Sequence, residues 1–395
     1  MKLLHIMPYS PVPPTFGGAL RIYNLLRQMT KNHEVTLITF GNSNTEFELR
    51  SHFDTNLKNI HVLNYPYLKP FKRFNQLFSL FNKSSFAFRR TYHQETQRLI
   101  DGIVTSDNFD IVQTEFPHMA SYKINSDAIK IMDAHNVEYS ILKYQWQHTS
   151  SPLRKIFYHK EFQKIFHEEI TVCRRQDALL VTSADDKNTL DKDVPDVPKY
   201  IVPNGVDTNY FIPSTEKPKP HTLVFSGAMS YIPNYDGILY FLDNIFPLIT
   251  KSIPDTKLYI VGNMPPKNLL KRASENIIIT GYTDDVRPYI WRSSVYIVPL
   301  RMGSGTRLKV LEALSMKKPI VTTTIGCEGI DVENGRTAII TDEPQAFAEA
   351  VIRILKDPYQ SKNLIDNGFE LVKKRYDWSV IGEKLDNVYN LLIKK

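Results

Sequence analysis

Gly303-Ser304-Gly305-Thr306-Arg307-Leu308-Lys309-Val310-Leu311-Glu312-Ala313-Leu314, followed by Lys318-Pro319-Ile320-Val321 and Gly326-Cys327-Glu328-Gly329, decides how this chain is read. Two glycines separate an apolar run, Val295 to Leu300, from a helical pattern, and Arg307, Lys309 and Glu312 fall in the first turns of that helix. Such a junction suits a phosphorylated ligand. Exposed backbone N–H groups and the positive end of the helix dipole attract phosphate oxygens, and glycine lets the backbone come close. Arg307 and Lys309 add fixed charge at the same place.

Glu312 interrupts a helix that Val310, Leu311, Ala313, Leu314 and Met316 make apolar almost all round. A carboxylate there needs partners, or its burial costs several kcal/mol. Two readings follow. Glu312 accepts hydrogen bonds from ligand hydroxyls such as those of a nucleotide ribose, or it pairs with Arg307 or Lys309 inside an ordinary βα unit.

Working outward, 395 residues suffice for two domains, each with its own core. Cys173 and Cys327 are the only cysteines, which argues for a reducing compartment and against a disulfide framework. The N-terminus, Met1-Lys-Leu-Leu-His-Ile-Met, has too short an apolar core for a secretory signal and reads as a buried strand. No apolar run approaches the roughly 20 residues that span a bilayer. A cytoplasmic protein is expected. The net charge of +7 favours anionic partners without naming one.

Charge and aromatics concentrate between Tyr65 and Thr91. Lys69, Lys72, Arg73, Lys83, Arg89 and Arg90 occur there without an acidic residue, among Phe71, Phe74, Phe78, Phe81, Phe86 and Phe88. The first four phenylalanines follow helical spacing. The pattern is that of a segment lying peripherally on an anionic membrane surface, or of a core helix with a basic solvent face. No nucleic-acid module accompanies it, so nucleic acid is not expected as a partner.

Short apolar runs alternate with amphipathic ones along the whole chain. Strands are expected at Leu3–Met7, Glu34–Phe40, His61–Leu63, Ile111–Thr114, Ile129–Asp133, Ala178–Thr182 and Tyr200–Val202, with helices around Leu20–Met29, Thr96–Thr105 and Leu153–Arg175. A second series follows Pro203-Asn-Gly-Val-Asp207: Thr222–Phe225, Lys257–Val261, Ile277–Thr280, Val295–Val298, Pro319–Thr322 and Ala338–Ile340. This rhythm predicts two α/β domains with parallel sheets, joined near residue 203. Ligands bind beyond the carboxyl ends of such strands. Phe16-Gly-Gly-Ala, Asp133-Ala-His-Asn-Val-Glu138, Ser226-Gly-Ala and Gly281-Tyr-Thr-Asp-Asp285 all occupy that position; two domains whose strand ends face each other would converge them on a cleft.

The ordered set resembles the GT-B glycosyltransferases, and more narrowly family 4 of retaining, nucleotide-sugar-dependent enzymes, in the form found in bacterial polysaccharide and envelope systems. Pro13 with Gly17-Gly18, Val202-Pro-Asn-Gly-Val-Asp207, Gly281-Tyr-Thr-Asp-Asp, the Glu312 helix with Lys318-Pro-Ile-Val, and Tyr376-Asp-Trp378 before a last helix carry the resemblance over nearly the whole length. It implies two Rossmann-like domains, an acceptor domain at residues 1–203 completed by a crossover helix at 379–395, and a donor domain at 204–378.

The resemblance also implies roles. Glu312 would bind the donor ribose, and Arg307 and Lys309 the diphosphate, aided by the Ser304, Gly305 and Thr306 backbone. Gly17, Gly18 and Gly227 would let the chain approach the donor, and Gly281 with Tyr282 would lie against the base. His135 matches a histidine beside the transferred sugar, although a satisfied loop histidine is the alternative. Glu115, Asn136 and Glu138 are candidates on the acceptor or sugar side, or structural loop groups. Hinges are expected at Asn204-Gly205 and before Trp378.

Two departures stand out. Ser304 occupies the position of a second glutamate common in the family, and the Gly227 loop lacks the arginine and lysine usually found there. Arg307 and Lys309 would then supply the cations. No DxD-type metal setting is present, since Asp284-Asp285 falls in the base-binding loop and Asp185-Asp186 at a helix start. The expected function is metal- and cofactor-independent transfer of a sugar from a nucleotide-diphosphate sugar to a glycan or lipid-linked acceptor, with retention. The alternatives are a catalytically altered nucleotide-sugar or glycan-binding subunit, and a nucleotide-sugar epimerase.

Overall fold

The computed structural model describes residues 1–53, 56–64, 79–80, 82–149, 151–303 and 305–394. The chain divides into two compact units, Met1–Pro203 with Ile381–Lys395, and Asn204–Val380.

The first unit is built on β1 (Lys2–Ile6), β2 (Glu34–Gly41), β3 (Leu57–Asn64), β4 (Ile111–Glu115), β5 (Ile129–Ala134), β6 (Ala178–Val181) and β7 (Lys199–Ile201). They form one parallel sheet in the order β3-β2-β1-β4-β5-β6-β7. The direction of winding reverses between β1 and β4, which makes their carboxyl ends the expected place for a ligand.

A sheet covered on both faces reads as nearly continuous apolar strands. On the central strands β1, β4 and β5, four ionisable or amide side chains break that rule: His5, Gln113, Glu115 and Asp133 are at most 2% exposed. Register explains why they meet. His5 pairs with Gln113, Glu115 with Asp133, and Gln113 and Glu115 are two residues apart, so all four point to one face.

That face is covered partly by α1 (Gly17–Asn32), which follows the loop after β1. Farther along, α2 (Glu138–His148) and α3 (Pro152–Cys173) form a helical hairpin. α2 was not expected from the sequence, and α3 begins and ends close to the anticipated Leu153–Arg175. The helical spacing from Phe71 to Phe81 lies almost wholly outside the described residues, as do Lys69, Lys72 and Arg73. The part that is described is held by carboxylates of α3: Glu161 accepts from Ser79 Oγ (3.0 Å) and Phe86 N (2.7 Å), and Glu168 from Ser84 Oγ (2.5 Å).

The second unit contains β8 (Thr222–Ser226), β9 (Lys257–Val261), β10 (Ile277–Gly281), β11 (Val295–Val298), β12 (Ile320–Thr322) and β13 (Ile339–Ile340), parallel in the order β10-β9-β8-β11-β12-β13. Its winding reverses between β8 and β11. The quoted glycine stretch leaves β11 and leads into α4 (Leu308–Ser315). The central strands of both sheets follow the apolar runs of the sequence because they are buried on two sides.

The chain enters and leaves the second unit along paired segments. Val206 N donates to Tyr376 O (2.8 Å), and Trp378 N to Val206 O (3.3 Å). The last helix, α5 (Trp378–Ile393), starts there and continues into the first unit. Within that unit Tyr389 Oη donates to Gln113 Oε1 (2.5 Å), and Asp386 accepts from His33 Nε2 (2.9 Å) and Asn32 Nδ2 (2.6 Å). Both cysteines are free and buried. Among the described residues, no helix is long and apolar enough to cross a membrane.

Candidate active site

In the second unit the site grows from glycines at strand ends. Gly227 follows β8 with φ +148°, and a Cβ on it would lie 2.6 Å from Asn234 Nδ2 and 2.8 Å from Lys309 Nζ. Gly303 and Gly305, at φ +125° and +81°, turn the chain from β11 toward α4. These are backbone values that side-chain-bearing residues rarely adopt. Lys309 thus sits directly over the Gly227 backbone, where its Nζ donates to Asn234 Oδ1 (2.7 Å) and lies 4.3 Å from the Phe225 ring centroid.

Arg307 is placed differently from the sequence expectation. It is the cap residue before α4 (φ −83°, ψ +78°) rather than part of the first turn. Its guanidinium folds back over Gly303, is 6% exposed, and donates to Ile325 O (3.0 Å) and Glu328 Oε2 (3.1 Å). A phosphate reaching Arg307 must therefore compete with Glu328.

Glu312 is left without a direct hydrogen bond to either neighbouring cation. Among the described residues its carboxylate makes no hydrogen bond and no ion pair, because Lys309 turns to Asn234 and Arg307 to Glu328. Burial pushes its carboxyl up to about 7, with the Lys309 charge only partly opposing this. Burial likewise brings Lys309 down to about 7, against the pull of Glu312. Before α4, Thr306 Oγ1 is buried without a partner among the described residues. A carboxylate and a hydroxyl left unsatisfied on the turn and helix that also carry Lys309 can take hydroxyl donors beside an anion. Ser304 lies outside the described residues. Gly281 has φ +69° at the end of β10, and Tyr282 after it is 74% exposed.

In the first unit the polar face of the sheet forms a closed network. His5 Nε2 lies 2.5 Å from Glu115 Oε1, His135 Nε2 lies 2.6 Å from Glu115 Oε2, and Gln113 Nε2 donates to Oε1 (2.9 Å). Burial alone would raise the Glu115 carboxyl; the two histidines outweigh it and hold it well below the usual carboxylate range. Asp133 is gripped by Arg21, whose Nε and Nη2 each donate at 2.9 Å, while Nη1 reaches Pro203 O (3.2 Å). Glu115, Asp133 and His135 each offer a metal-ligand atom, all within 4.8 Å of one another. A cation there would have to displace the Arg21 fork and face its charge, so the donor set fits a metal poorly.

His135 is 5% exposed, and its Nδ1 has no partner among the described residues. The Phe116 ring packs on it with centroids 3.9 Å apart. Phe116 itself has φ +67°, a strained value for a bulky residue, and also stacks on His118 (5.3 Å). Burial, with His135 and Arg90 adding to it, brings His118 down to about 4.

The other candidates separate. Gly17 opens α1 with clear space at its Cβ position, whereas a Cβ on Gly18 would lie 2.5 Å from Tyr9 Oη, the tip of a side chain that would have to shift. Glu115 is wholly buried. Asn136 and Glu138 are half-buried in the loop after β5 and at the start of α2. Burial raises the Glu138 carboxyl, partly countered by His135. Glu169 of α3 caps α2 by accepting from Glu138 N (3.2 Å) and Tyr139 N (3.0 Å).

Sequence reasoning missed His5, Arg21, Asp133, Asn234 and Glu328. A histidine inside Leu3-Leu4-His5-Ile6 and an arginine on the apolar side of α1 were legible anomalies. Asn234 and Glu328 gave no such signal, since each acts through a partner distant in sequence.

Comparison with known proteins now bears on this arrangement. The family profile "Glycosyltransferase Family 4" matches residues 17–210, and "Glycosyl transferases group 1" matches residues 220–357. The chain belongs to the family 4-like glycosyltransferases of GT-B fold. The first profile spans the Arg21–Asp133 and Glu115–His135 pairs of this glycosyltransferase, and the second its Gly227, Lys309 and Glu312. His5 and Tyr389 lie outside both.

The chain is 25% identical to an uncharacterized 44.6 kDa protein in the cps region of Klebsiella pneumoniae, over 95% of this chain and 96% of that one. It is 26% identical to the UDP-Gal:alpha-D-GlcNAc-diphosphoundecaprenol alpha-1,3-galactosyltransferase of Escherichia coli, over 44% of this chain and 51% of that one. The structure of HepE from Anabaena, in complex with UDP, superposes with a TM-score of 0.69 at 12% identity, covering 99% of this chain and 100% of that one.

Proposed function

We propose that this glycosyltransferase moves a sugar from a nucleoside-diphosphate sugar onto a hydroxyl of a glycan or lipid-linked glycan, with retention of configuration and without a metal ion, in the synthesis of a cell-surface polysaccharide. The observation that carries this reading is Glu312: a carboxylate with no described protein partner, on the turn that also presents Lys309. Ribose hydroxyls supply the missing donors, and the adjoining diphosphate faces Lys309, the glycine backbone and Thr306. The UDP-bound HepE structure and the undecaprenol-linked substrate in the name of the E. coli relative support the donor and acceptor classes.

Breaking the anomeric bond leaves positive charge on the sugar and negative charge on the diphosphate. Fixed cations and N–H dipoles at the leaving group lower that barrier without a protein nucleophile. Lys309 and the turn before α4 serve this purpose. On the first unit, His135 is the sugar-side group, with its Nε2 committed to Glu115 and its Nδ1 left for a substrate hydroxyl. Exclusion of water from the reacting sugar protects the donor from hydrolysis.

The test is transfer to lipid-linked and free glycan acceptors from a panel of nucleotide sugars, in chelator, with NMR of the product anomeric centre. Retained configuration at an undiminished rate is expected. Inversion, a requirement for divalent metal, or epimerisation of the donor without acceptor would overturn the proposal.

A further inference from the structure

Lys309 and Glu312 stand three residues apart on α4, the spacing at which a lysine and a carboxylate on one helix ordinarily meet. Burial disfavours both charges, so an ion pair would relieve each of them. Among the described residues no such pair forms. The ammonium turns instead to a neutral amide on another helix.

That amide belongs to Asn234, which is 6% exposed in the first turn of the helix Ile232–Tyr240. Both ends of it are engaged. Oδ1 accepts from Lys309 Nζ (2.7 Å), and Nδ2 donates to Ala228 O (3.0 Å) in the loop after β8. The bond to Ala228 fixes which end faces the lysine, because an amide turned the other way would oppose its N–H groups to the ammonium. From Gly227 to Asn234 the chain has no lysine or arginine. The cation above this loop therefore comes from α4, and Asn234 holds it there.

We propose that Asn234 is a positioning residue of the donor site: it holds the Lys309 ammonium over Gly227 for the diphosphate and so keeps the Glu312 carboxylate open to the ribose. The inference rests on the donor reading above and explains how both halves of that site stay available at once. Without Asn234 Oδ1, Lys309 swings to Glu312, the nearby anion that acts on it; Arg307, the other charge that acts on it, is held by Glu328. The resulting pair would satisfy both groups inside the protein and compete with nucleotide for each. It would also favour the charged form of both, returning Lys309 toward the ordinary lysine range and lowering Glu312.

Calorimetric titration with UDP, GDP, ADP and dTDP, in chelator at pH 7 and pH 9, tests this on wild type, Asn234→Ala, Glu312→Gln and the double variant. With the nucleotide that wild type binds, Asn234→Ala should weaken affinity at pH 7 about tenfold or more, but less than about threefold in the Glu312→Gln background, where no carboxylate draws the lysine away. The decline in affinity from pH 7 to pH 9 should disappear in Asn234→Ala, since a paired Lys309 keeps its proton through that range. An asparagine that only braces the loop would cost the same in both backgrounds and leave the pH slope in place. Asn234→Leu, close to asparagine in volume, is read in the same way if the alanine variant has a lowered thermal midpoint. Equal costs in the two backgrounds, undiminished affinity in Asn234→Ala or a persisting slope would overturn the inference and leave the donor reading standing. If wild type binds none of the four nucleotides, the donor reading fails and the inference falls with it.

Discussion

His135 Nε2 lies 2.6 Å from Glu115 Oε2, and the other oxygen of the same carboxylate lies 2.5 Å from His5 Nε2. One fully buried carboxylate therefore orients two imidazoles, and its contact with His135 Nε2 leaves Nδ1 of that ring buried without a partner among the described residues. The arrangement follows from strand register, since His5, Gln113, Glu115 and Asp133 share one face of the sheet.

Glu115→Gln keeps the shape of the network but removes its charge. We expect kcat to fall about 10- to 100-fold, the range typical of partners that orient a functional histidine, with KM for the donor little changed. A parallel loss in KM, or an unchanged kcat, would remove Glu115 from any role at His135.

Arg21 and Asp133 form a buried two-point ion pair at 2.9 Å. Removing one partner leaves an uncompensated charge in the sheet, so Arg21→Met should cost about 3–5 kcal/mol of stability in urea unfolding. The double change Arg21→Met with Asp133→Leu should recover much of that loss, because no charge is then stranded.

Glu312 and Lys309 give opposite pH signatures. The Glu312 carboxyl is raised to about 7 in the folded chain, so between about 4.5 and 7 the folded state holds a proton that the unfolded chain has lost. Its contribution to stability thus falls as pH rises through that window. Lys309 is lowered to about 7, so from about 7 to 10.5 the unfolded chain holds the extra proton and stability rises with pH. Glu312→Gln should abolish the first trend, and Lys309→Met the second, in thermal midpoints measured across pH.

The lysine also sets the pH dependence of binding. A bound diphosphate stabilises protonated Lys309, so nucleoside diphosphate affinity should decline as pH rises from 7 to 9. Lys309→Met should bind more weakly and lose this slope. A slope that persists in the variant would place the titrating group elsewhere.

The central strands coincide with apolar runs in the sequence, because parallel strands buried on both faces are mostly apolar, whereas the edge strand β3 extends four residues before its expected His61 start and exposes Lys58 and Asn59. Helix α2 was not legible: Tyr139 is its only buried residue, so it has no strong apolar stripe. Glu312 announced itself as a carboxylate in an apolar helix. Its lack of a partner did not, since that depends on Asn234 and Glu328 drawing away Lys309 and Arg307 across 75 and 21 residues of sequence.

The most direct test of the account is calorimetric titration of wild type and Glu312→Ala with a panel of nucleoside diphosphates and their sugars, without divalent metal. The account predicts binding of one nucleotide class by wild type, weakened about 10- to 100-fold in Glu312→Ala by loss of charge-assisted hydrogen bonds, with no loss of thermal stability in the ligand-free variant. Equal affinity in the two proteins, or a variant that is simply less stable, would show that Glu312 is a structural residue and would contradict the placement of the donor at this turn.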